Sequence, residues 1–153
     1  MPKLRILFVC LGNICRSPLA EGILRHVAAE RGRSDLFEID SAGTGGWHIG
    51  DPPDPRTIAV ARRHGIDISD LRGRKLRDAD FDDFDLLLAL DRGNLHMLTG
   101  LAPPRHAGKI QLFARHALRK AIDVPDPYYG APEDFEAVFH LLYSGCSSIV
   151  GDP

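Results

Sequence analysis

Residues 4–18 read Leu4-Arg5-Ile6-Leu7-Phe8-Val9-Cys10-Leu11-Gly12-Asn13-Ile14-Cys15-Arg16-Ser17-Pro18. The apolar run Leu4–Val9 has the length of a buried strand, and Ser17-Pro18-Leu19-Ala20-Glu21-Gly22-Ile23-Leu24 opens a helix-like pattern. Between the two lies Cys-x5-Arg. A tight loop that runs from a strand into a helix N-terminus aims backbone N–H groups at one spot and makes an anion pocket. Gly12 and Asn13 tolerate the left-handed backbone such a loop needs. The planar fork of Arg16 matches two oxygens of a phosphate. Cys10 stands at the pocket floor, where the same positive field favours thiolate over thiol. By residue type, Ser17 suits the helix cap and is also placed to donate a hydrogen bond to the Cys10 sulfur, and Pro18 takes the first helical position.

Read alone, the loop leaves two other readings open. Cys10 and Cys15 can be small buried apolar side chains, or half of a Cys-x4-Cys metal site. The metal site needs two more ligands, and the one remaining cysteine is Cys146, near the other end of the chain. A Cys-x2-Cys redox pair has a different spacing.

Outward from this loop, strand-like and helix-like stretches alternate. Strands are expected at about Leu4–Val9, Phe37–Ser41, Asp85–Leu90 and Lys109–Phe113. Helices are expected over Pro18–Arg31, over Pro55–His64 with Ile58, Ala59, Ala61 and Arg62 at helical spacing, and from an Asp91 cap through Leu98. A last helix opens at Pro132 with Phe135, Val138, Phe139, Leu142 and Tyr143 as its apolar face. This alternation predicts an α/β fold: one domain over 1–153, an open twisted parallel sheet of about four strands with helices on both faces, and the phosphate-binding loop after strand 1. Ligands in such sheets sit beyond the carboxyl ends of the strands, where Cys10 lies. The loops Gly43–Pro55, Gly100–Gly108 and Val124–Pro132 are long enough to be functional.

Lys and Arg total 19 against 21 Asp and Glu, a formal charge of −2. That balance argues against a general nucleic-acid or membrane-surface binder, so any anion pocket is local. No apolar run approaches the length of a membrane span. The stretch Ile6–Leu11 is too short for a signal-peptide core. Three cysteines do not suggest a disulfide framework, and a nucleophilic thiolate needs reducing surroundings, so a cytoplasmic location is expected.

The loop Cys10–Ser17, followed by Pro18 and Ala20-Glu21, closely resembles that of the low-molecular-weight protein tyrosine phosphatases. Further blocks follow in that family's order: Ser41-Ala42-Gly43-Thr44 with Trp47, Gly50-Asp51-Pro52-Pro53-Asp54-Pro55-Arg56, His64-Gly65-Ile66-Asp67-Ile68, Phe84–Asp91, and Val124-Pro125-Asp126-Pro127-Tyr128-Tyr129-Gly130. The likeness runs from Lys3 to about Leu142. It implies hydrolysis of phosphotyrosine or small aryl phosphate monoesters through a phosphocysteine intermediate. Cys10 would be the nucleophile, Arg16 the phosphate clamp, and Asp126 the general acid and then base. Leu11, Gly12, Asn13, Ile14, Cys15 and Ser17 would line the phosphate site, with Ser41 supporting the loop through Asn13. Trp47, Tyr128 and Tyr129 would wall a slot for a phenyl ring.

Asp126 between two prolines reads by itself as a turn residue. Beside the Cys10 loop it becomes the proton donor that a phenolate leaving group calls for, with the two tyrosines shielding its carboxyl from water. The resemblance further implies a reversible Cys10–Cys15 disulfide, no cofactor and no metal, and a monomer with weak self-association. Three neighbouring readings carry less weight. Thioredoxin-coupled arsenate reductases share the loop but need two further cysteines, and residues 70–100 have none. Protein-arginine phosphatases typically carry Thr where Ile14 stands, and Ile14 suits an aryl ring better than a guanidino phosphate. A silent phosphotyrosine-binding module would lack Cys10 or Asp126, and both are present.

Overall fold

Ile6, Leu7, Phe8, Val9 and Cys10 are all buried, so the first strand is covered on both faces, as a central parallel strand must be. The computed structural model describes residues 2–151. Its strands are β1 (Leu4–Cys10), β2 (Phe37–Gly43), β3 (Leu86–Ala89) and β4 (Ile110–Leu112). They form one parallel sheet in the order β2-β1-β3-β4. Its helices are α1 (Arg16–Glu30), α2 (Pro55–Arg63), α3 (Asp78–Asp83), α4 (Arg92–Leu101), α5 (Phe113–Leu118) and α6 (Pro132–Val150).

The period of two along β1 divides the core. Ile6 and Phe8 join Leu88 and the apolar faces of α1, α2, α5 and α6 on one side of the sheet. Leu7 and Val9 join Leu87, Ala89 and the residues Phe81 and Leu98, carried by α3 and α4, on the other. Burying each of these large side chains stabilises the fold by roughly 1.5–3 kcal/mol. The strand order reverses between β1 and β3, and the crevice beyond their carboxyl ends is where the loop after Cys10 lies. Among the described residues, no helix is long and apolar enough to cross a membrane.

The expected α/β architecture and its four parallel strands are observed, but several boundaries differ. Helix α1 starts at Arg16, so Ser17 and Pro18 lie within its first turn and Ser17 is not its cap. In α2 the buried residues are Thr57, Val60 and Ala61, whereas Ala59 faces solvent and Ile58 is half-buried. Helix α4 continues through Gly100 to Leu101, beyond the expected stop. Phe113, expected to end the fourth strand, instead starts α5. Tyr143 is 37% exposed at the margin of the α6 face, stacked on Phe139. Helices α3 and α5 were not anticipated, because six residues are too few to display a 3.6-residue period.

Candidate active site

The loop between β1 and α1 is held from outside by its carbonyls. Those of Cys10, Leu11, Ile14 and Cys15 accept from the N–H groups of Thr44, Gly45, Asp54 and Leu19. Among the described residues, no backbone carbonyl accepts from the N–H groups of Leu11 to Cys15. Asn13 has φ 57, the left-handed conformation expected of it. Gly43 lies against the loop so closely that a Cβ there would stand 2.9 Å from the Leu11 oxygen.

Beneath the loop, the direction of each hydrogen bond can be deduced. The Arg74 N–H donates to Asn13 Oδ1 at 2.9 Å, which fixes the orientation of the Asn13 amide. Its Nδ2 then donates to Ser17 Oγ at 2.8 Å and to Ser41 Oγ at 3.0 Å. Ser41 donates its own O–H to Glu21 Oε1 at 2.6 Å. Ser17, already accepting from Asn13, has its O–H left for Cys10 Sγ at 2.9 Å. Burial pushes the Glu21 carboxyl above its ordinary value, and the bonds from Ser41 and Arg25 only partly offset this. Arg74 is anchored by Asp80, whose carboxylate is fully buried and accepts from the Arg74 guanidinium at 2.9 and 3.1 Å and from the Arg77 N–H at 2.7 Å.

Arg16 is 3% exposed. Its Nη1 donates to Asp91 Oδ2 at 2.7 Å and to the Val124 carbonyl at 2.9 Å. Burial disfavours its charge, but Cys10, Asp91 and Asp126 outweigh that and hold the guanidinium ionised. From the far loop, Asp126 brings Oδ2 to 3.8 Å from Arg16 Nη2, while its Oδ1 accepts from the Tyr128 N–H at 3.1 Å. The Asp126 side chain stays 49% exposed. The expected shielding by the two tyrosines is therefore not formed, since Tyr129 points almost wholly into solvent.

A cleft of about 240 Å³ joins these parts, lined by Cys10, Leu11, Gly12, Ile14, Cys15, Arg16, Trp47, His48, Asp126, Tyr128 and Tyr129. Every expected site residue except Asn13, Ser17 and Ser41 lines it, and those three form the hydrogen-bonded layer below. The Trp47 ring lies on Gly45, where a Cβ would leave it no room. Burial raises the Cys15 thiol to about 12, with the charges of Asp54, Asp126 and Cys10 adding to the effect against a lowering by Thr57. At neutral pH Cys15 is therefore a protonated thiol.

From sequence, Asp91 reads only as a helix cap, and Glu21, Arg74 and Asp54 carry no assigned role. Asp54 caps α2, donates its N–H to the Ile14 carbonyl, and is held low by its hydrogen bonds from Arg56. Arg56 in turn lies over the Tyr128 and Phe135 rings, at 5.4 and 4.7 Å. A visible signal for Asp91 was its place at the carboxyl end of an apolar strand, beside the expected crevice.

The sequence model of the family described as low molecular weight phosphotyrosine protein phosphatase matches residues 5–151. The chain belongs to this family. The low molecular weight protein-tyrosine-phosphatase YfkJ of Bacillus subtilis is 42% identical over 146 residues, which covers 95% of this chain and 92% of the relative. The human low molecular weight phosphotyrosine protein phosphatase is 38% identical over 147 residues, 95% and 92% of the respective chains. A crystal structure of protein tyrosine phosphatase from Entamoeba histolytica, with Hepes in the active site, superposes with a TM-score of 0.91. It is 34% identical, and the match covers 97% of this chain and 95% of that one. Membership of the low molecular weight phosphotyrosine protein phosphatases accounts for a match that spans both the Cys10 loop and the Asp126 loop.

Proposed function

We propose that the protein hydrolyses phosphotyrosine and related aryl phosphate monoesters through a phosphocysteine intermediate. The observation that supports this most is the meeting of three groups from opposite ends of the chain: Cys10 on Ser17, Arg16 across the same cleft, and Asp126 Oδ2 at 3.8 Å from Arg16 Nη2. The phosphate dianion sits in the loop, between its N–H groups and the Arg16 fork. Cys10 Sγ attacks phosphorus in line; the S–P bond forms as the P–O bond to the phenol breaks, and Asp126 delivers its proton to the departing oxygen. Water then attacks phosphorus, Asp126 takes a proton from it, and the S–P bond breaks to release inorganic phosphate. The Ser17 hydroxyl, aimed at sulfur, stabilises the thiolate before attack and again as it leaves.

Selectivity for a flat ring is consistent with Ile14 in the cleft lining and with Trp47 and Tyr128 at its walls. Turnover of a phosphotyrosine peptide and a phosphoarginine peptide by the same preparation tests the assignment. Preferred hydrolysis of the phosphotyrosine peptide supports it. Preferred hydrolysis of phosphoarginine would replace it with an arginine phosphatase.

A further inference from the structure

Away from the cleft, His64 caps the C-terminal end of α2, and Glu136 and His140 lie one turn apart on α6. The ligand atoms of these three side chains all fall within 4.8 Å of one another. Both imidazole Nε2 atoms face a single carboxylate oxygen, Glu136 Oε2, at 3.0 Å from His64 and 3.3 Å from His140. Two ligands on one tetrahedral zinc ion stand about 3.3 Å apart, given metal bonds near 2.0–2.2 Å. The cluster therefore needs only small side-chain adjustments to close around an ion.

Two neighbours fix the set. The His64 ring is stacked on Phe139, with centroids 3.9 Å apart and planes 10° from parallel. Arg63 Nε donates to the other carboxylate oxygen, Glu136 Oε1, at 3.1 Å, which turns Oε2 toward the imidazoles. Its positive charge also opposes a cation, so the expected affinity is modest.

The geometry points to a binding site for one borderline divalent cation of the zinc class at His64, Glu136 and His140, which ties α2 to α6. Imidazole with carboxylate suits zinc and its neighbours better than magnesium or calcium, which prefer all-oxygen sets. The sequence offered no hint, because His64 lies on a separate element from the Glu136–His140 pair. The site shares no residue with the phosphate cleft and does not depend on the proposed reaction.

Untagged full-length protein would be titrated with Zn²⁺ by calorimetry near neutral pH, followed by the visible spectrum with Co²⁺. The expected result is one equivalent bound at micromolar concentrations, a raised melting temperature, and a Co²⁺ spectrum free of a thiolate charge-transfer band. Changes one shell beyond a metal cost roughly 10–100-fold in affinity, so His140→Ala and His64→Asn should each weaken binding by at least about that. Both side chains are solvent-accessible, and unchanged melting temperatures without metal would verify that the variants fold. Unaltered Zn²⁺ affinity in both variants would overturn the site. So would a thiolate band that disappears with Cys10→Ser, which would assign the metal to the cleft, or no binding by the unmodified protein.

Discussion

Arg16 and Asp91 form an ion pair with Nη1 and Oδ2 2.7 Å apart, the arginine side chain almost wholly buried. The second oxygen, Asp91 Oδ1, accepts from the Asn94 N–H at 2.7 Å and caps α4. One carboxylate thus links Arg16 to the helix that follows β3. A point charge at this position orients the fork of Arg16, and leaves its Nη2 on the side of Asp126.

Asp91→Asn separates the two tasks. Asparagine caps a helix about as well as aspartate, so α4 should persist, but buried Arg16 loses its charged partner and stability should fall by roughly 3 kcal/mol. With its one oxygen kept on the Asn94 N–H, asparagine turns its amide NH2 toward Arg16 Nη1, so the charged hydrogen bond is lost and kcat/KM for an aryl phosphate should fall roughly 10–100-fold, the equivalent of about 1.5–3 kcal/mol. Steady-state kinetics beside thermal melting checks both halves; unaltered kinetics would show that Arg16 keeps its position without the pair.

Asn13 contributes a left-handed backbone and three hydrogen bonds. Asn13→Gly removes only the bonds, whereas Asn13→Ala removes the bonds and adds strain of about 1–2 kcal/mol. Both variants should lose most of their activity, and urea unfolding should place the alanine variant below the glycine variant by that amount. Equal stability of the two would mean that the loop relaxes out of the left-handed conformation.

What the sequence disclosed followed from physical strength of signal. The strand–loop–helix around Cys10 was legible because apolar burial, an Arg fork and left-handed residues agree within fifteen positions. Asp126 was legible only in company with that loop, since its local pattern is that of any turn. Arg74 was invisible for a different reason: it acts on Asn13 through its backbone N–H, which every residue but proline carries. Glu21 sits in a helix where nothing in the pattern marks it as inward, and its burial became evident only once Ser41 stood opposite. Ser17 suits both a helix cap and a hydrogen bond to sulfur; the helix begins at Arg16, two residues before the expected Pro18, and the bond to Cys10 is the role observed.

Asp80 makes stability pH-dependent. Burial by itself would raise its carboxyl, yet the bonds from Arg74 and the Arg77 N–H outweigh this and hold it below the ordinary 3.8. A depressed carboxylate contributes stability that is fully present above the unfolded value and is lost as pH falls through the native one. Urea midpoints measured from neutral pH down past 3.8 should therefore fall, and the fall should be shallower in Asp80→Asn. That variant should also be less stable at neutral pH by roughly 3 kcal/mol, because it leaves Arg74 without its buried partner. A parallel acid limb in both proteins would move the titration elsewhere.

Cys10→Ser should abolish turnover and still bind phosphate or vanadate, since the proposed anion pocket draws on Arg16 and the loop N–H groups, which this change keeps. Arg16→Lys should also be severely impaired, because a single ammonium cannot reproduce a two-pronged clamp. Stopped-flow burst kinetics and inhibition by inorganic phosphate distinguish loss of the nucleophile from loss of the site.

The most direct measurement concerns Asp126, whose Oδ2 reaches the cleft while its Oδ1 keeps the turn at Tyr128. Asp126→Asn preserves that turn bond and removes the acidic proton. A general acid matters in proportion to the leaving group's need for one, and typically contributes roughly 10²–10⁴-fold. Hydrolysis rates of wild type and variant would be compared on phosphotyrosine and on an ester of a far more acidic phenol. The account predicts that the variant is slowed by about 10²-fold or more on phosphotyrosine and much less on the activated ester. Equal slowing of both esters would contradict it and return Asp126 to the role of a loop residue.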